Sequence, residues 1–272
     1  MQIILLRVNE RQIVKAVQDI WTGLRAWRLW SLFGFNDVKM RYRRSTLGPF
    51  WVSLSTGTQI LVMGFVMTFL FHNSPERYLP FLCISMVLWN MLVAMVTEGS
   101  NAFIGAADLI LQIKRPLFVY LFQGIWRNTI VGAHTIIIFF AVAFLFGLFP
   151  GPTYLLAIPG LVLFMLNGIW MSGFVAILST RFRDIPMIVI NAFTVLFWLT
   201  PVLYEANQVS GAMAHVVKFN PFYHILEVLR APLLLAWPTA LNWLVALGSA
   251  LIGWVMLIGL FARSRERIPY WL

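Results

Sequence analysis

One cysteine, Cys83, stands among 272 residues, so neither an intrachain disulfide nor a cysteine metal site is available. Charge is scarce as well. Asp, Glu, Lys and Arg supply 11% of the chain and are missing altogether from residues 45–75, 78–97, 128–180, 185–204 and 231–262. No Gly-x-x-x-x-Gly-Lys-Ser/Thr run occurs, nor even a Gly-Lys pair, which excludes a P-loop in this sequence. The four histidines, His72, His134, His215 and His224, share no metal-ligand spacing, and each reads as structural or interfacial. A cleavable signal peptide is not expected, because residues 1–6 are too short an apolar run and the next forty are mixed and charged. Internal repeats and low-complexity runs are also lacking.

What fills the space is apolar: 60% of the chain, with aromatics making up 15% of the chain, and a mean hydropathy of +0.82. That composition belongs to membrane proteins. Each charge-free window suffices to cross a hydrocarbon core about 30 Å thick, which takes roughly 20 helical residues. The window 128–180 is too long for one span and breaks at Gly147-Leu-Phe-Pro-Gly-Pro152, which cannot continue a helix. The expected fold is an all-α polytopic membrane protein with six transmembrane helices, near 50–71, 80–98, 120–147, 154–179, 186–203 and 240–261. Three regions follow: a cytoplasmic N-terminal region 1–49, a transmembrane domain 50–261 and a basic tail 262–272.

An even number of spans puts both termini on one side. That side carries seventeen Lys and Arg, and the other carries three, Arg77, Lys218 and Arg230. The positive-inside rule makes the richer side cytoplasmic. The net charge of +10 therefore sets topology and meets anionic lipid, and no nucleic-acid partner is implied. Within residues 10–32, Ile13, Val17, Ile20, Leu24 and Trp27 recur at helical spacing with Arg11, Lys15, Gln18, Asp19, Thr22, Arg25 and Arg28 around them. Such a helix lies on a membrane surface. A surface helix packed on neighbouring loops gives the same pattern.

Ion-coupled transporters keep an ionisable group near mid-membrane. Here Glu98, Asp108, Arg127 and Asp184 fall at or near cytoplasmic span ends instead. The loops on that side are too short to hold a catalytic domain, so if the chain moves something, the energy is expected to come from another subunit. Before the first span, Lys39, Arg41, Arg43 and Arg44 run into Gly48-Pro49 and Trp51. Guanidinium groups at headgroup depth suit phosphate, which they grip with two parallel donors. A topology signal with headgroup contact explains the same cluster.

The run Arg41-Tyr-Arg-Arg-Ser-Thr-Leu-Gly-Pro-Phe-Trp51 closely resembles the segment entering the first span of type-2 ABC export permeases, in the branch that exports lipid-linked O-antigen, capsular polysaccharide and teichoic acid. Asn220-Pro-Phe-Tyr-His-Ile-Leu-Glu-Val-Leu-Arg230 resembles a loop motif of the same family. The resemblance covers nearly the whole chain. It departs at Ser55-Thr-Gly57, where many relatives carry a proline, and this bears on the branch more than on the family.

The resemblance implies a homodimeric permease of the inner membrane that moves lipid-linked polysaccharide and binds no cofactor itself. Two copies of a P-loop ATPase partner would hold ATP and Mg. By position, residues 100–118 match the family's coupling segment. Their own chemistry, Asp108 followed by apolar Leu109, Ile110 and Ile113 and then Lys114, Arg115 and the stop Pro116, makes an apolar knob ringed by charge. A connector lying on the membrane is the plainer alternative. The outer loop 204–239, rich in apolar residues and prolines, is expected to dip back as short re-entrant helices. The resemblance makes these an external gate, with Asn220, Pro221, His224, Glu227 and Arg230 as its motif. Glu227 and Arg230 lie three apart on one helical face, placed either to pair or to form a weak surface contact. Aromatic faces stack on sugar rings, so some of the 42 Phe, Trp and Tyr residues suit a glycan path. The rival readings are an exporter of teichoic acid or of a smaller lipid or drug, and a membrane enzyme of polyprenyl-linked glycan assembly, which would need converging polar groups.

Overall fold

A computed structural model describes residues 9–43, 45, 46, 48, 50–71 and 74–272. It is all-helical, with no strand among the described residues. In chain order the helices are α1 (Glu10–Arg25), α2 (Trp27–Arg41), α3 (Phe50–Phe71), α4 (Pro75–Gly99), α5 (Ala107–Gln112), α6 (Phe118–Leu145), α7 (Tyr154–Arg181), α8 (Ile185–Leu199), α9 (Gly211–Phe219), α10 (Pro221–Leu233), α11 (Ala240–Ser264) and α12 (Ile268–Trp271).

Five of these, α3, α4, α6, α7 and α11, are long and apolar enough to cross a membrane. The chain is a multi-pass membrane protein. The segment expected to be the fifth span, 186–203, forms the 15-residue α8, about 22 Å long at 1.5 Å per residue. It stops early because Pro201 bars Thr200 from the helical region, and Thr200 sits extended at φ −100°, ψ 133°. The short helix is tied to its neighbours at both ends. It starts beside Arg183, which donates to the Trp271 carbonyl, and ends where the Asn220 amide donates to the Leu199 carbonyl. α4 starts earlier than the hydropathy suggests, because Pro75 takes the first helical position and brings Glu76 and Arg77 into the helix.

α4 is the axis. Apolar all round, it is buried from Tyr78 to Val96 along most of its length and packs against α3, α6, α7, α8 and α10. α7 lies close enough to α10 that a Cβ on Gly160 would meet the Val228 carbonyl oxygen at 2.2 Å, so only glycine fits that crossing. α3 is covered on one side only. Its Leu61, Val62, Phe65 and Phe69 are 60–67% exposed.

α1 begins at a capping box, Asn9 with Gln12. It docks through Ala16, Asp19 and Gly23 against α6 and α11, while Ile13, Val14, Val17, Trp21 and Leu24 stay exposed. The stripe that packs is thus mainly the small-residue stripe beside the apolar arc; of the arc, Ile20 packs on the core and the rest is left uncovered. Both described ends of the chain meet here, at what is called below the terminal end.

Candidate functional site

At the terminal end, charged side chains from three helices converge. The helix ends antiparallel to one another bring Glu98 of α4 beside Arg127 of α6, and α2 lays Asp37 against the same guanidinium. Arg127 donates through Nε (3.1 Å) and Nη2 (2.8 Å) to Glu98 Oε2 and through Nη1 (3.0 Å) to Asp37 Oδ2. Gln123 Nε2 donates to Asp37 Oδ2 at 2.8 Å. Arg41 reaches in from the end of α2, both Nη atoms 3.2 Å from Glu98 Oε1. Two cations thereby balance two anions around a pocket of about 420 Å³. With side chains 20–32% exposed at Arg127, Glu98 and Asp37, these contacts are sheltered enough to hold α2, α4 and α6 in register.

Of the three arginines singled out in the sequence, Arg41 is therefore engaged by a carboxylate. Arg43 is exposed and has no partner among the described residues, and Arg44 lies outside them, as do Leu47 and Pro49 of the same segment. Asp37 was not singled out, and Glu98 and Arg127 were noted only for lying near span ends. Their shared depth in neighbouring antiparallel helices was the usable signal.

A second fastening holds α1. Asp19 Oδ1 accepts from the Phe118 backbone N–H at 3.3 Å, and Oδ2 accepts from Arg265 Nε at 3.0 Å. Burial pushes the Asp19 carboxyl above its ordinary range, against the downward pull of Arg265. Reading Asp19 as one of the polar residues around the wheel missed this, because its partners are distant in sequence.

The segment 100–118 is anchored by Phe103, which is fully buried. After a single 3₁₀ turn comes α5, which lodges through Ile110 alone. Leu109, Leu111 and Ile113 remain 47%, 59% and 41% exposed, and Asp108, Lys114 and Arg115 are exposed around them, with Pro116 half-buried. The expected knob is present with one exchange: Ile110 faces the core and Leu111 takes its place outside.

At the opposite end, each member of the Asn220–Arg230 motif has a structural partner. Asn220 caps α10, its Oδ1 accepting from the Phe222 N–H at 2.9 Å, and its amide donates to Thr200 Oγ1 at 2.9 Å. Pro221 fills the first helical position. His224, 1% exposed, lies 2.8 Å from Asn242 Oδ1 and 2.9 Å from the Lys218 carbonyl oxygen. Arg230, 2% exposed, donates to Glu227, to Ser85 Oγ at 2.9 Å and to the Pro201 carbonyl at 2.6 Å, and it lies over the Phe81 ring. The Glu227–Arg230 pair is accordingly interior, and the weak-surface-pair alternative is set aside.

Between α3, α4 and α8 runs a groove of about 290 Å³ walled by Trp89, Phe193, Phe197 and Trp198, with Gln59 and Asn90 among them. No group of three or more His, Cys, Asp or Glu side chains suited to a metal occurs among the described residues. Of the histidines, His134 and His215 bond to carbonyls of their own helices, and His72 lies outside the described residues.

A family model described as ABC-2 type transporter matches residues 30–234. Two proteins of Klebsiella pneumoniae, each named O-antigen export system permease protein RfbA, are 23% identical over 189 residues, which is 68% of this chain and 72% of theirs. A protein of the same name from Myxococcus xanthus is 23% identical over 198 residues, 72% of this chain and 76% of its own.

Proposed function

The chain belongs to the ABC-2 type transporter family, and from that premise we propose that it is the channel-forming subunit of an ATP-driven exporter of lipid-linked polysaccharide, O-antigen or capsular in type. The observation that carries this reading is the family match across residues 30–234 together with three relatives named O-antigen export permeases. The test is chemical. Cells lacking the protein should accumulate a lipid-linked glycan inside the inner membrane, and restoring the gene should clear it. Absence of any accumulated glycan would overturn the reading.

The working unit is a homodimer bound to two ATPase subunits that hold ATP and Mg. Each copy crosses the inner membrane six times with α8 as the fifth span. α1 lies in the cytoplasmic headgroup layer and α9 and α10 form a re-entrant gate outside. Regions 1–49, 50–261 and 262–272 serve as cytoplasmic entrance, channel and tail. The uncovered faces of α3 and α8 and the aromatic groove between them suit a shared glycan path, since ring faces hold sugars with few fixed hydrogen bonds.

Topology is testable with thiols because Cys83, the native cysteine, is fully buried. A cysteine at the exposed Gln208 should react with an impermeant reagent in intact cells, whereas one at Tyr270, 89% exposed, should react only after lysis. Ser264 is unsuitable because it is buried, and Asn73 lies outside the described residues. Labelling at 270 without lysis would invert the assignment.

Arg41, Arg43 and Arg44 receive the substrate diphosphate in this reading. Because Arg41 also holds Glu98, Arg43 gives the cleaner test. Arg43→Lys keeps the charge but loses the planar fork and should lower export several-fold. Normal export by the Arg41→Lys, Arg43→Lys and Arg44→Lys variants would leave the cluster a topology role only.

A further inference from the structure

We infer that the cleft at the opposite end of the bundle, between the start of α4, the end of α6, residues 205–207 and α10, binds a neutral hexose unit of a glycan. The inference rests on the export reading and adds to it a specific holding site. The cleft has a volume of about 550 Å³ and lies at the far end from Arg41 and the coupling segment.

Four of its five charges are matched in pairs, and the fifth, Glu76, is an exposed carboxylate with no ion pair among the described residues, so the lining is net negative. Arg77 Nη2 sits 2.9 Å from Glu205 Oε2, and Arg230 is spent on Glu227, Ser85 and Pro201. A phosphate or uronate entering here meets no buried cation free to receive it. No group of three or more His, Cys, Asp or Glu side chains suited to a metal ion forms here among the described residues.

What remains unspent is hydrogen-bonding capacity at low net charge. Both Arg230 contacts fall on Glu227 Oε2, which leaves Oε1 without a partner among the described residues on a side chain only 20% exposed. The Tyr223 hydroxyl, half-buried in the same wall, likewise has none. Asn207 adds an amide that donates to Glu205 at 3.2 Å. A carboxylate oxygen accepts, a phenol does both, and an amide does both, which is the set that paired sugar hydroxyls satisfy. Tyr223 and Phe146 supply ring surface for the apolar face of a pyranose. Polar groups converging on a partly apolar cavity are how small-ligand sites are built. A hexose held here as the glycan emerges would oppose its sliding back.

The test is saturation-transfer NMR on the full chain in lipid nanodiscs, with three neutral trisaccharides of glucose, mannose and galactose and with trigalacturonate. Ring faces and hydroxyl pairs are common to all three hexoses, so transfer to at least one neutral probe is expected, with little to the acidic one. Tyr223→Leu and, independently, Asn207→Ala should cut transfer at least five-fold while the thermal midpoint stays at the wild-type value. Transfer to no neutral probe, preference for trigalacturonate, or transfer unchanged in both variants would overturn the site. Surface glycan in cells relying on the wild-type chain reads out export separately. Surface glycan without transfer sinks the cleft alone, and transfer without surface glycan sinks the export reading alone.

Discussion

Arg230→Leu is expected to remove most of the folded protein. The guanidinium is 2% exposed and joins three elements: its own helix α10 through Glu227, α4 through Ser85, and the turn after α8 through Pro201. Truncation strands a shielded carboxylate and a buried carbonyl, and breaking a buried pair on one side costs about 3–5 kcal/mol. That is a large part of the total stability of an ordinary domain. Replacing both members, Glu227→Gln with Arg230→Met, removes the stranded charge and should recover at least half of the loss. Yield of monodisperse protein in detergent and its thermal midpoint report both effects. A wild-type midpoint for Arg230→Leu would show that the interior network carries little.

The double variant Leu109→Asp with Ile113→Asp should leave the chain folded and abolish ATPase docking. Both side chains are exposed, at 47% and 41%, so the chain's own packing is not disturbed. Burying two new carboxylates in an apolar groove of a partner costs several kcal/mol each, and every 1.4 kcal/mol is roughly tenfold in affinity. Co-purified ATPase should fall at least ten-fold, with export lost. Ile110→Asp is the contrasting change, since Ile110 packs on the core and its replacement should destabilise the chain itself. Retained ATPase and wild-type export in the double variant would move the docking surface to α1 or to the Arg181–Asp184 turn.

Much of this architecture is legible in residues close together in sequence. The start of α3 at Phe50 follows the Gly48 break, and the turn between α6 and α7 falls at Gly147–Pro152 as composition dictates. Ile110 was misjudged because a six-residue helix shows too little period to tell its packed side from its free one. The charged cluster of Asp37, Glu98, Arg127 and Arg41 was invisible for another reason. It depends on which helices are neighbours, and hydropathy ranks spans without pairing them. The burial of Arg230 was hidden likewise, since Ser85 and Pro201 lie in other elements.

The docking of α1 on Asp19 has a consequence for biosynthesis. One of the two groups that satisfy this buried carboxylate, Arg265, lies 246 residues later in the chain. At elongation rates of about 5–20 residues per second, the ribosome needs roughly 12–50 s to reach it. The other group, the Phe118 N–H, lies 99 residues later, so α1 emerges before either partner exists and its final seating waits for the tail. A chain that stops short of residue 265 keeps its hydrophobic spans yet lacks that clamp.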